Sequence, residues 1–302
     1  MWQAKVLVQA VLARLPGGEA INHRLQRINA RRRGPEVLAN RVTDMARVMN
    51  RLKQLHPIKG ATIVEVGTGW DALPTLCLSA EGAERVHTYD HVRHLRLDMA
   101  QTAAAVAAQA RPEWGALWAA RASNDLKSLL RTARVQYYAP GDASETGLKD
   151  GSVDIFFSYA VLEHVPEQAA SAIITEARRV LKPDGVFYAL IGLHDHYHNF
   201  DSRVSKVNFL RYPEWLWSPL VKNRISYHNR LRERDFLEML KALGAEIVDV
   251  HSTIDPDDLQ RVRSMKIDRR FQGYSPEDLA TTCTEIVCRF NPPGVGRPAA
   301  CA

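Results

Sequence analysis

The chain has 302 residues, of which 46% are hydrophobic and 25% are charged, a composition typical of a soluble globular protein. Its apolar runs are much shorter than the roughly 18 residues of a membrane helix, and charged residues within positions 1–15 argue against a secretory signal. The four cysteines are scattered and form no C-x-x-C pair, which argues against a zinc or disulfide framework and favours a cytoplasmic location.

The formal net charge is +6, but residues 1–60 hold 12 Lys and Arg against three acidic residues. The run Arg31, Arg32 and Arg33 belongs to this basic segment. Two interpretations stay open: a solvated basic helix face, or a weak peripheral contact with anionic membranes or phosphate-bearing molecules. Aromatic residues are nearly absent from the segment, so we expect no specific nucleic-acid partner.

Two helices are predicted before the first strand. Apolar residues at helical spacing run from Leu7 to Leu15, where Pro16 and Gly17 end the helix, and a longer stripe runs from Leu38 to Leu55. We expect residues 1–58 to form a helical cap over the sheet edge and a ligand site.

A buried strand and a glycine turn follow this cap. The apolar run Ala61–Val66 leads into Gly67 and Gly69, and glycine at such a turn lets the backbone approach a ligand closely. A second strand ends at Asp90, about 20 residues after the turn, where a carboxylate can accept hydrogen bonds from a ribose diol. Gly67 to Ala72 also fits the dinucleotide-binding pattern, so the turn alone does not identify the ligand.

The rest of the chain alternates between strand and helix patterns, which predicts an α/β fold. The expected later strands are 135–138, 152–159, 186–193, 245–251 and 284–290, with helices at 95–110 and 235–243 and one after Pro166. A long segment, residues 194–230, follows the fifth strand and is rich in aromatic, His and Asn residues. Its length and composition predict a folded lid over a substrate site.

Five short motifs occur in order along this pattern: E-V-G-T-G, Y-D, G-D-A, Y-A-V-L-E-H-V and L-K-P-D-G-V. With them the chain resembles the class I S-adenosylmethionine-dependent methyltransferases over roughly residues 58–252. The resemblance implies a Rossmann-like fold with a seven-stranded, mostly parallel sheet and helices on both faces. It places the methyltransferase domain at residues 59–302.

The resemblance also implies that S-adenosylmethionine is the cofactor, and it suggests how each motif contacts it. The glycines would approach the methionine portion above Glu65, Asp90 would accept both ribose hydroxyls, and Ser158 and Tyr159 would border the methyl group. The residues expected to bind the cofactor are Glu65, Gly67, Gly69, Asp90, Asp142, Ala143, Ser158 and Tyr159. For Asp142, which with Ala143 would meet the adenine edge, a plain turn is a strong alternative.

Methyl transfer to a hydroxyl requires a group that takes the proton. His194 and His164 are the candidate catalytic bases, because each follows a strand end on the expected cofactor side. His194 is preferred slightly, since it begins the lid. The run His194, His196 and His198 with Asp195 could hold a divalent metal, but no clear carboxylate set accompanies it, so we expect no metal site.

The segments around Asn208–Arg211 and Tyr227–Arg232 are similar to those of bacterial methyltransferases found with glycan-building enzymes. This similarity predicts O-methylation of a saccharide or another small hydroxylated acceptor, with Arg230 or Arg232 free to bind a phosphate or carboxylate. Two alternatives stay open: a lipid or quinone-like acceptor, and a regulatory protein that binds the cofactor without turnover.

Overall fold

A computed structural model describes residues 2–18, 21–22, 35–221, 223 and 225–290. The basic run 31–33 lies outside these residues. Seven strands form one sheet. They are β1 Thr62–Val66, β2 Arg85–Tyr89, β3 Val135–Tyr138, β4 Val153–Tyr159, β5 Leu181–Gly192, β6 Ala245–Ile254 and β7 Thr281–Phe290.

Helices connect the strands and cover both faces of the sheet. The described α-helices are α1 Trp2–Leu12, α2 Pro35–Leu55, α3 Leu73–Ala80, α4 Leu97–Ala110, α5 Leu117–Arg121, α6 Leu126–Thr132, α7 Glu167–Val180, α8 Glu214–Val221, α9 Glu233–Ala242, α10 Pro256–Ser264 and α11 Pro276–Ala280. Short 3-10 turns cover Pro112–Trp114, Leu162–His164, Asn208–Arg211 and Arg269–Phe271.

The strand order is β3-β2-β1-β4-β5-β7-β6. The first five strands in this order run parallel, and β7 lies antiparallel between β5 and β6. This arrangement confirms the predicted Rossmann-like sheet. The carboxyl ends of β1 and β4 lie side by side where the chain reverses its direction across the sheet, which is the usual ligand position in such folds.

The strand limits differ from the predicted ones in the second half of the chain. β5 begins at Leu181 rather than Val186, with a register shift against β4, and β7 begins at Thr281 rather than Thr284. β6 extends past His251 to Ile254. It is an edge strand with half-exposed residues, so its polar end, 251–253, lacks the apolar signal of a buried strand.

Two apolar layers pack on opposite faces of the sheet. Helices α2, α3 and α4 cover one face, with Met45, Leu76 and Phe157 in that core. Helices α7 and α9 cover the other face, with Ile174, Phe187 and Phe236 in its core. Burial of these side chains is the main favourable contribution to folding.

Helix α2 joins the cap to the sheet through its apolar stripe and its charged residues. The predicted stripe is buried at Val42, Met45, Val48, Met49 and Leu52. Three arginines of the same helix form ion pairs with residues of the domain: Arg41 with Asp71, Arg47 with Glu285, and Arg51 with Asp249. Part of the positive charge of residues 1–60 is therefore paired with acidic residues of the domain.

The described residues of segment 194–230 contribute to a third apolar core. Tyr197, Phe209 and Trp217 pack together with Val6 of α1 and Phe271. Helix α1 buries Val6 and Ala10 but leaves Leu7, Val8 and Val11 about half exposed. The predicted apolar stripe of this helix therefore points mainly to solvent. None of the described helices combines the length and apolar character needed to cross a bilayer.

Arg230 and Arg232, expected to be free for a substrate anion, are instead buried structural residues. Arg230 donates to the Tyr212 carbonyl (2.5 Å) and pairs with Glu214. The Arg232 guanidinium donates to the carbonyls of Leu193 (2.7 Å), Asp278 and Thr281. That expectation was wrong, because backbone carbonyls from several loops converge on these side chains.

Replacing Arg232 by Met should lower the free energy of unfolding by about 3 kcal/mol or more, because each carbonyl left without a donor costs roughly 1–3 kcal/mol. Arg234→Met is the matched control, since that side chain is 40% exposed. It should cost under about 1 kcal/mol. Urea unfolding followed by circular dichroism measures both, and equal losses would contradict the assigned role of Arg232.

Candidate active site

The glycine turn after β1 adopts the backbone that the sequence predicts. Gly67 has a φ of 86° and Gly69 a φ of 68°, in the left-handed region that favours glycine. A Cβ at position 67 would lie 2.3 Å from Val161 Cγ2, so Gly67 also allows close packing against the loop after β4. A Cβ at position 69 would meet no atom within 4 Å, which leaves open space beside the turn.

Asp90 stands at the carboxyl end of β2 and contacts this turn. Its Oδ2 accepts a hydrogen bond from the Gly69 amide at 3.1 Å. Burial raises the pKa of Asp90 above its usual value, while the neighbouring His94 opposes the shift. The carboxylate is thus positioned beside the glycine turn, where a ligand lying over Gly69 would meet it.

The loop after β3 lies directly beside Asp90. The Gly141 amide donates to the Asp90 carbonyl at 2.9 Å, which brings Asp142 and Ala143 to the same edge of the sheet. Asp142 Oδ1 accepts hydrogen bonds from the Ser144 amide (2.8 Å) and hydroxyl (2.7 Å), and these bonds lower the pKa of its carboxyl. Asp142 therefore stabilises its own turn with one oxygen.

Two buried polar atoms at the ends of β1 and β4 stand out. Glu65 and Ser158 are both buried, and among the described residues neither Glu65 Oε1 nor Ser158 Oγ has a hydrogen-bond partner. Thr75 of α3 donates to the other Glu65 oxygen. Burial raises the pKa of Glu65 to about 7. Buried polar atoms without partners are costly, and their position at the site edge fits an absent ligand.

Tyr159, at the end of β4, turns toward the cap. Its hydroxyl donates to Asp44 Oδ2 of α2 at 2.5 Å. Arg41 of the same helix forms a bidentate ion pair with Asp71, which lies in the loop after the glycine turn. The two hydrogen bonds measure 2.5 and 3.1 Å. Helix α2 thus contacts two strand-end loops of the site, a role that its apolar pattern did not reveal.

Four histidines gather where β4 and β5 end. The ring of His196 lies 4.8 Å from that of His164, 4.9 Å from that of His194 and 4.2 Å from that of His228. Burial lowers the pKa of His194 and of His164 below the usual histidine value, and it lowers that of His196 to about 3. These rings are therefore neutral near pH 7.

The sequence placed His164 and the run from His194 to His198 in this region, but it did not single out His228 or Glu163. His228 lies near the far end of segment 194–230 in sequence. Only the folding of that segment brings its ring to within 4.2 Å of the His196 ring. Asp195 does not join the cluster: its oxygens accept hydrogen bonds from the Tyr197 amide (2.9 Å) and the Asn208 side chain (3.1 Å). The sequence could have indicated Glu163 as a site residue, because it precedes His164 in the turn after β4, a strand parallel to β5.

Val161 connects the histidines to the glycine turn. It packs against Gly67 and lies two residues before Glu163. The four strand-end loops after β1, β2, β4 and β5 therefore form one continuous site. Its glycine side carries carboxylates and open space, and its other side carries neutral imidazoles.

Comparison with known proteins agrees with this geometry. Residues 64–189 match a family model described as a methyltransferase domain, and the match spans β1 to β5. This match assigns residues 64–189 to a methyltransferase domain. No curated protein shows significant sequence similarity to the chain.

Solved structures show distant similarity to this chain. A candidate methyltransferase from Bacillus halodurans C-125 is 19% identical, with a TM-score of 0.46, over 82% of this chain and 99% of that one. The geranyl diphosphate C-methyltransferase of Streptomyces coelicolor A3(2) is 15% identical, with a TM-score of 0.46, over 82% of this chain and 78% of that one.

The residues of the site fit S-adenosylmethionine. The open space beside Gly69 and the partnerless oxygens of Glu65 and Ser158 offer room and hydrogen-bonding groups for a polar ligand. Asp90 adds a carboxylate beside the same turn. These residues would hold the cofactor, with Asp90 as the natural acceptor for ribose hydroxyls.

Replacing Asp90 by Ala should weaken binding of S-adenosylmethionine and S-adenosylhomocysteine by about 10- to 100-fold, because two ribose hydroxyls would lose a charged acceptor worth roughly 1–3 kcal/mol. Titration calorimetry measures both affinities. Asp184→Ala is the matched control, since that exposed carboxylate lies at the opposite end of β5. Unchanged affinity in Asp90→Ala would remove Asp90 from the cofactor site.

Proposed function

We propose that this methyltransferase transfers a methyl group to a hydroxyl of a saccharide or another small hydroxylated acceptor. The observation that carries the proposal is the group of neutral histidines, His164, His194 and His196, which follows Val161, the residue that packs against Gly67. Neutral imidazoles can accept a hydroxyl proton, and imidazole and amide groups hydrogen-bond well to polyhydroxylated molecules.

His194 is the proposed base. Its Nε2 lies 3.1 Å from the side-chain nitrogen of Asn199, which is exposed at the start of segment 194–230. An acceptor hydroxyl that takes the place of this amide would donate a hydrogen bond to His194 Nε2, which could then accept its proton. When bound, S-adenosylmethionine supplies the methyl group on a sulfonium, a leaving group that needs no further activation. The chain's task is then to align the hydroxyl and remove its proton.

Substituting His194 by Gln should lower turnover by about 100- to 10,000-fold while the affinity for S-adenosylmethionine stays the same, because a general base acts on rate rather than cofactor binding. His198→Gln is the control from the same histidine run. Its Nδ1 lies 2.6 Å from the Val204 carbonyl oxygen. Single-turnover rates together with calorimetry separate the two effects, and a near-normal rate in His194→Gln would exclude it as the base.

A lipid or quinone-like acceptor is the second candidate, and helix α1 favours it. Leu7, Val8 and Val11 expose 57%, 55% and 57% of their surface, and α1 packs on the segment that follows β5. An exposed apolar face with Lys5 and Arg14 nearby resembles the helices that lie on anionic membrane surfaces. Such a helix would bring the site close to a membrane-bound acceptor.

Labelling with a deuterated methyl donor should decide between these acceptors. Cell extracts would be incubated with the enzyme or with its Asp90→Ala variant and then separated into glycan and lipid fractions for mass spectrometry. We expect enzyme-dependent label in O-methyl groups of the glycan fraction. Label confined to lipids would favour the second candidate, and cofactor binding without label in any product would indicate a regulatory protein.

A further inference from the structure

Glu163, His164 and His196 converge at the carboxyl ends of β4 and β5. One potential metal-ligand atom of each lies within 4.8 Å of the others. Glu163 and His164 belong to the turn Leu162–His164 after β4, and His196 lies four residues after the end of β5. Adjacent parallel strands therefore bring together residues that are more than 30 positions apart in sequence.

Both histidines are held in the tautomer that leaves Nε2 free. His164 Nδ1 lies 3.2 Å from the Tyr227 carbonyl, and His196 Nδ1 lies 3.0 Å from the His194 carbonyl. A carbonyl only accepts, so each Nδ1 carries the proton and each Nε2 keeps its lone pair. Metal-binding histidines are commonly oriented by this type of Nδ1 hydrogen bond to a carbonyl.

Glu163 supplies the third atom. The residue is only 2% exposed, its Oε1 accepts a hydrogen bond from the Gly192 amide at 3.0 Å, and its Oε2 has no partner among the described residues. A Cβ at position 192 would lie 2.8 Å from Glu163 Oε1, so a glycine is needed to admit the carboxyl group. A buried carboxylate oxygen without a partner is unfavourable unless a proton or a cation binds it.

We propose that Glu163, His164 and His196 bind one divalent transition-metal ion of the Zn²⁺ type. Two imidazoles and one carboxylate form a common ligand set for such ions. Bond lengths of about 2.0–2.2 Å require the three atoms to draw closer by roughly half an ångström or more. The sequence predicted no metal site because no carboxylate accompanied the histidine run, and the fold supplies one from the preceding strand.

Three protein ligands leave a coordination position open. His194 lies next to the proposed site, since its ring stacks on that of His196 at 4.9 Å. A hydroxyl bound to the ion loses its proton more easily, since a divalent cation stabilises the alkoxide. This part of the inference rests on the proposed O-methylation, whereas metal binding itself does not.

Metal binding can be measured on the full-length protein without a histidine tag. The protein would be treated with a chelator, dialysed and titrated with Zn²⁺ against a fluorescent competitor, and Co²⁺ absorption would report the ligands. We expect one Zn²⁺ per chain, a Co²⁺ spectrum with nitrogen and oxygen ligands, and a higher melting temperature with Zn²⁺.

Glu163→Gln and His196→Gln should each weaken Zn²⁺ affinity by about 100-fold or more, because loss of a supporting residue alone costs roughly 10- to 100-fold. His198→Gln, two residues from His196 in the same run, should retain the wild-type affinity. Failure of the wild-type protein to bind Zn²⁺ or Co²⁺ would overturn the proposal even if a variant does not fold. Equal affinity in wild type, Glu163→Gln and His196→Gln would overturn it as well.

Discussion

The parallel direction of five strands is the constraint on which the candidate site depends. Since β3, β2, β1, β4 and β5 all run the same way, the loops that leave them meet at one edge of the sheet. A loop can place a functional group there without being close in sequence to its neighbours. The contact between Gly67 and Val161 marks the point where the two halves of the fold separate.

The antiparallel strand β7 adds a second constraint. Its first residues reach the same edge, where Thr281 accepts a hydrogen bond from Arg232, and its Glu285 lies buried opposite α2. Glu285 pairs with Arg47, and Tyr188 donates to it at 2.7 Å. A buried carboxylate is tolerated here because a cation and a hydroxyl both contact it, which fixes α2 against the sheet.

The sequence was sufficient to predict the sheet, the order of its early strands and the residues at their ends, because these depend on local apolar patterns and glycine turns. It failed for residues whose role depends on distant partners. Arg230 and Arg232 resemble surface cations in sequence, but backbone carbonyls from three separate segments of the chain surround them in the fold. The helical spacing of apolar residues also could not show that α1 buries Val6 and exposes Val8.

The sequence also could not distinguish the roles of the two candidate histidines. His164 and His194 are equivalent in sequence, since each follows a strand end, and the choice between them as base rested on the position of the lid. Their hydrogen bonds differ: His164 bonds the Tyr227 carbonyl through Nδ1 and offers a ligand atom near Glu163 and His196, whereas His194 Nε2 faces the exposed Asn199. One lone pair cannot both bind a metal ion and accept a proton. A metal at Glu163 would therefore remove His164 from the candidate bases and leave His194, so the two roles divide between the two strand ends.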